Sequence, residues 1–132
     1  MTESTIELVV RCTEIDINGH VNNAKYVEYL EWGREDWYEG LGFTHAHLLT
    51  LGVLTVTVNL NVNYRRECRQ GERLFVTTRS AELGNSSFVV TQEIRDKQGR
   101  IVCDARVTTV TIDSATRKSR RVPDALRAAF SG

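Results

Sequence analysis

The sequence predicts an α+β domain: one long helix set against an antiparallel sheet of about five strands. Three observations lead there. One segment of helical period follows a single short strand, four segments of strand character come after it, and short turns containing glycine join the later ones. Helix and strands in separate runs, rather than in alternation, mark the α+β class.

The elements follow in order. Residues 6–12, Ile6-Glu7-Leu8-Val9-Val10-Arg11-Cys12, read as a strand, and the polar residues 13–22 as a loop. From Asn23 to about Glu39 the pattern is helical, with Tyr26, Val27, Leu30, Gly33 and Trp37 on one stripe. Asn22 or Asn23 suits its N-cap, and Gly40 or Gly42 its end. Glycine inside a helix costs ~1 kcal/mol relative to alanine, so Gly33 predicts a close approach to the sheet. The period then becomes two. Leu54, Val56, Val58, Leu60, Val62 and Tyr64 alternate with Thr55, Thr57, Asn59, Asn61 and Asn63, as in a half-buried strand. Further strands are expected near 72–83, 87–96 and 100–112, with turns at Gly84-Asn85-Ser86 and Lys97-Gln98-Gly99. A short helix at 123–130 would carry Pro123 in its first turn. A curved sheet wrapped around one long helix is the hotdog architecture.

Composition bounds the function. The chain has 132 residues, the size of one domain, and residues 1–132 are read as a single unit. Basic and acidic residues balance at 17 each, which argues against nucleic-acid binding. No apolar run approaches the ~20 residues that span a bilayer. The start of the chain lacks the pattern of a secretory signal. Cys12, Cys68 and Cys103 are odd in number and lack metal-ligand spacing, as expected of reduced thiols in the cytoplasm. No metal and no cofactor is expected.

The chemistry concentrates in Asp16-Ile17-Asn18-Gly19-His20-Val21-Asn22-Asn23. If this loop is extended, Asp16, Asn18 and His20 project to one side. Behind them lie the free N–H groups of the helix start. Thioester hydrolysis needs a carboxylate that attacks the carbonyl or activates water, and donors for the oxyanion. This loop offers both. Equally, Asp, Asn and Gly are ordinary turn residues.

Asp16 to Tyr26, with Glu31-Trp32-Gly33-Arg34 further along the helix, resembles the 4-hydroxybenzoyl-CoA thioesterase family of hotdog enzymes. The likeness runs over nearly the whole chain. Val58 to Arg66 is especially similar to bacterial long-chain acyl-CoA thioesterases. The resemblance implies that Asp16 is the catalytic carboxylate and that the Asn23 N–H polarises the thioester carbonyl. Asp16, Asn18 and His20 also match the Asp-x-Asn-x-His pattern of plant acyl-ACP thioesterases, and Tyr64 to Cys68 matches their Tyr-Arg-Arg-Glu-Cys segment. That implies a catalytic role for Glu67. The plant enzymes carry two hotdog repeats, and many single-domain relatives have proline here, so a solvated turn glutamate is the competing reading.

Tyr26, Arg65, Arg66, Ser86 and Ser87 are candidate substrate contacts. Arg65 and Arg66 belong to a basic cluster with Arg69 and Arg73, and Arg117, Lys118, Arg120 and Arg121 form another; arginine forks suit the phosphates of coenzyme A. Gly84-Asn85-Ser86-Ser87 is similar to the family turn that meets the pantetheine or nucleotide. Cys68 is read as a bystander, not a nucleophile. The expected substrate is a medium- or long-chain fatty, or aromatic, acyl-CoA, with acyl-ACP as the other carrier. A homodimer or a dimer of dimers, a homotetramer, is implied, with an acyl tunnel between subunits. Two rivals remain: a hotdog hydratase or dehydratase, whose motif Asp-x-Asn-Pro-x-His is one residue longer, and a non-catalytic acyl-thioester binder.

Overall fold

Asn22 stands where loop becomes helix. Its side-chain oxygen accepts the Ala24 N–H at 2.9 Å, and α1 runs over Asn23–Gly40. In this computed structural model, which describes residues 2–131, α1 lies on one face of a five-stranded antiparallel sheet. The strands are β1 (Glu3–Val9), β2 (Val53–Tyr64), β3 (Arg73–Leu83), β4 (Ser87–Asp96) and β5 (Ile101–Asp113), in spatial order β1-β3-β4-β5-β2. The hotdog architecture is therefore present. Strands β3, β4 and β5 form consecutive hairpins, but β2 does not join β3. It crosses to the far side of β5 and makes one edge of the sheet, while β1 makes the other.

Several boundaries differ from the expectation. The first strand occupies Glu3–Val9, and Cys12 already belongs to a 3-10 turn over Cys12–Glu14. A short helix α2 (His45–Thr50), capped by the Thr44 hydroxyl on the His47 N–H, was not expected. The C-terminal helix divides into α3 (Asp124–Arg127), with Pro123 at its N-cap, and a 3-10 turn at Ala128–Phe130.

The buried face of α1 carries Tyr26, Tyr29, Leu30, Gly33 and Trp37, so Tyr29 takes the place given to Val27. Gly33 does approach the sheet closely. A Cβ there would lie 2.6 Å from Val76 Cγ1 and 3.1 Å from both Gln92 Nε2 and Thr78 Oγ1. The fully buried Gln92 fixes this crossing by donating to the Leu30 carbonyl and the Thr78 hydroxyl, each at 2.8 Å. Toward the C-terminal end of α1, Trp37 packs on Phe88 and Phe130 with ring centroids about 6 Å apart.

The alternation along β2 is interrupted. Thr57 pairs with Thr109 but Asn59 pairs with Thr108, so a bulge falls at Val58. An extra residue exchanges the faces. Leu54 and Val56 share the outer face with Asn59, Asn61 and Asn63, while Thr55 and Thr57 join Leu60, Val62 and Tyr64 on the face toward α1. The strand is not half-buried in the single chain. Val56, Val58, Leu60 and Tyr64 are 40, 55, 36 and 48% exposed.

Candidate active site

The loop before α1 is a tight turn and not an extended stretch. Ile15 pairs with Val21, the Asp16 N–H donates to the His20 carbonyl at 3.0 Å, and Gly19 closes the turn at φ 83°. Asp16 Oδ1 accepts the Asn18 N–H at 2.9 Å, an Asx turn. This corrects the expected convergence. The Asn18 side chain is exposed and does not line the pocket beside Asp16, whereas His20 does.

That pocket, about 320 Å³, is lined by Asp16, His20, Val21, Asn23, Tyr26, Tyr64, Arg65, Arg66 and Glu67. Four parts of the chain meet in it: the turn, the start of α1, the end of β2 and the segment that follows β2. The Val21 N–H to the Cys68 carbonyl, 2.8 Å, ties the turn to the segment after β2. The buried Glu14 holds the turn from beneath. Its carboxylate accepts the Tyr29 hydroxyl and the Arg11 N–H, each at 2.8 Å, and its carbonyl accepts the Asn22 N–H at 3.0 Å. With the Ala24 N–H on the Asn22 side chain and the Lys25 N–H on the Asn22 carbonyl, the Asn23 N–H is left at the pocket as the first donor of the helix without an acceptor among the described residues.

His20 Nε2 stands 3.2 Å from Glu67 Oε2, and Glu67 Oε1 accepts from Arg69 Nη2 at 3.1 Å. Glu67 is exposed but not a lone turn residue, since it faces the motif histidine. Tyr26 is buried, donates its hydroxyl to the Arg66 carbonyl at 3.2 Å and touches the Tyr64 ring at 5.6 Å between centroids. Burial pushes the Tyr26 phenol far above its ordinary range, so it remains a neutral wall and donor. Burial likewise raises the Cys68 thiol, which is wholly enclosed and unavailable as a nucleophile.

The arginines are not one basic face. Arg65 pairs with Asp104 at 2.8 Å, Arg69 with Glu67 and Arg73 with Glu7 at 2.7 Å. Among the described residues, Arg66 is the pocket arginine with no carboxylate within an ion pair's reach.

Residues 10–130 match the family model described as the thioesterase-like superfamily. The chain belongs to that superfamily. It is similar to the long-chain acyl-CoA thioesterase FadM of Escherichia coli, 34% identical with 92% of each chain covered. It is also similar to a chloroplastic acyl-acyl carrier protein thioesterase of Arabidopsis thaliana, 29% identical over 95% of this chain and 66% of that one. Among solved structures, the DHNA-CoA thioesterase of Staphylococcus aureus superposes with a TM-score of 0.88 at 25% identity, covering 99% of this chain and 90% of that one. This member of the thioesterase-like superfamily is a thioester hydrolase.

Ser86 and Ser87 are not brought to the pocket of this thioesterase within one chain. Ser87 pairs with Val110, whereas Tyr64 pairs with Cys103. Seven residues of β5 separate the two ends by roughly 23 Å at the rise of a strand. The hairpin geometry that joins β3 to β4 places that turn at the opposite end of the sheet. Sequence reasoning gave no role to Tyr64 or Glu14. The position of Tyr64 directly before Arg65-Arg66-Glu67 was the available signal, and for Glu14 there was none.

Proposed function

We propose that this thioesterase hydrolyses medium- or long-chain fatty acyl thioesters of coenzyme A in the cytoplasm, with Asp16 as the catalytic carboxylate. The convergence of Asp16, His20 and the free Asn23 N–H on one pocket carries the reading. The carbonyl oxygen of the thioester accepts the Asn23 N–H, at the positive end of α1, where a developing oxyanion is favoured. Asp16 either attacks the carbonyl carbon or takes a proton from an attacking water. In both routes the C–S bond breaks, the thiolate leaves and receives a proton, and water supplies the oxygen of the free acid. His20, held by Glu67, orients the reacting groups, and Asn18 acts through its N–H on Asp16.

The likeness to FadM supports a long acyl chain, and Arg66 supports a phosphate-bearing carrier. The free thiols of Cys12, Cys68 and Cys103 support a reducing compartment. Among the described residues no helix is long and apolar enough to cross a membrane. The exposed edge strand β2 supports a homodimer, or a dimer of dimers, with the acyl tunnel between copies and Ser86 and Ser87 supplied to the carrier by the partner's turn. Long-chain acyl-CoA mixed with the protein and a thiol reagent tests the reaction. Free CoA is expected, and its release is expected to be lost in Asp16→Asn. Acyl change without thiol release would establish a hydratase, and no change a binder.

A further inference from the structure

Helix α1 and strand β2 run in opposite directions across the face of the sheet that carries the site. Tyr26 meets Tyr64 at the pocket, and at the other end Tyr38 lies with Thr55 and Thr109. Leu60 and Val62 lie on the same face between them. The pocket at the Asn23 N–H and a second cavity of about 350 Å³ thus lie toward opposite ends of α1 on this face.

That cavity is unusual in its chemistry. Phe43 and Leu48 supply apolar wall, but Thr55, Thr57, Thr109 and the Tyr38 hydroxyl supply oxygen donors, and the half-buried Arg34 supplies a guanidinium. Arg34 Nη1 donates to Gln92 Oε1 at 3.0 Å. Among the described residues no carboxylate forms an ion pair with it and no second acceptor takes its remaining donors. Burial lowers its pKa, the physical sign of a charge with incomplete solvation. The Tyr38 hydroxyl has Thr55 and Thr109 as side-chain hydrogen-bond partners, so a plain hydrocarbon tail laid here would strip water from the remaining donors of Arg34 and from the Thr57 hydroxyl and return nothing. A carboxylate would meet Arg34 but also the acidic rim of Glu31, Glu35 and Glu39. A neutral oxygen satisfies the donors without that repulsion.

We infer that this cavity receives the far end of the acyl group and selects chains bearing a neutral oxygen there, a hydroxyl or an oxo group. The inference rests on the hydrolase reading above and names its substrate class. The path from Asn23 to Arg34 spans eleven residues of helix, ~16 Å at 1.5 Å per residue. An extended dodecanoyl chain is of comparable length.

The test compares kcat/KM for dodecanoyl-CoA, ω-hydroxydodecanoyl-CoA and dodecanedioyl-CoA by release of free CoA. The hydroxyacyl thioester is expected to exceed the other two by roughly tenfold or more, the discrimination a site with unpaired donors provides. In Arg34→Met, which removes the guanidinium donors, the ratio of hydroxyacyl to plain thioester is expected to fall toward one. Thr57→Val, which changes an exposed hydroxyl to a methyl and spares the core, is expected to lower it too. Equal rates for the plain and hydroxyacyl thioesters, or a ratio unchanged in both variants, would overturn the inference while leaving the hydrolase reading intact. Absence of CoA release from all three thioesters would overturn both.

Discussion

Asp16 accepts the Asn18 N–H on one carboxylate oxygen, and no protein donor among the described residues holds the other. Asp16→Asn preserves that size and the turn but removes the charge. Turnover is expected to fall by about a hundredfold or more, the usual scale for a positioned base, with an unchanged circular dichroism spectrum. Turnover within threefold of the unmodified protein would remove Asp16 from the mechanism. His20 and Glu67 form an exposed pair, and such pairs contribute little to stability, so their replacement reports on chemistry rather than folding. His20→Ala is expected to slow hydrolysis less than Asp16→Asn, and Glu67→Gln by only a few-fold. Equal damage from His20→Ala and Asp16→Asn would make His20 the general base. Asp16, His20 and Asn23 were legible because the turn and the helix start are contiguous in sequence. The Asn18 side chain was misplaced because an extended loop was assumed where Gly19, at positive φ, builds a turn. The pairing of His20 with Glu67 depends on where β2 ends in space, and no local pattern carries that.

Helix α1 shows what periodicity can and cannot give. Its span and the close approach at Gly33 were both readable, the second because a mid-helix glycine needs a reason. A methyl at Gly33 would improve helix propensity by ~1 kcal/mol. It would also sit 2.6 Å from Val76 Cγ1, and overpacking of this kind costs about 1–3 kcal/mol. Gly33→Ala is therefore expected to destabilise the fold by about 1 kcal/mol net, measured by denaturant unfolding. Combined with Val76→Ala, which removes the clashing methyl, the two changes are expected to cost less than their sum, as neighbours do. Additivity would show that the sheet yields at this point. Strand β2 was legible as a strand but not in its facing. The bulge at Val58 inserts one residue that composition does not announce, and it exchanges which side chains look toward α1. Helix α2 has only six residues, too few to display a helical period.

The sheet has two edges of different character. Edge β1 carries Glu3 and Glu7, paired with Arg79 and Arg73 at 2.7 Å, and such charges blunt an edge against association. Edge β2 is twelve residues long, Val53–Tyr64, and holds no charged residue and no proline. Its Val56, Val58, Leu60 and Tyr64 are left at least 36% exposed. A long, uncharged edge rich in β-branched residues is a template for another strand, and two-fold pairing with its own copy closes it. The same pairing would cover Leu60 and Tyr64, which in one chain are exposed on the face toward α1. Activity and assembly are then one property. Sedimentation at micromolar concentration is expected to show a dimer or a dimer of dimers and no monomer. Val58→Glu puts a charge on this edge that pairing would desolvate, which should shift the protein to monomers. Because Val58 is 55% exposed in the single chain, the monomer's own core is untouched and its fold should persist. Hydrolysis should fall with the loss of the dimer and recover in part as protein concentration rises. A monomeric Val58→Glu protein with full activity would refute the shared tunnel, and an unchanged assembly would refute pairing through β2.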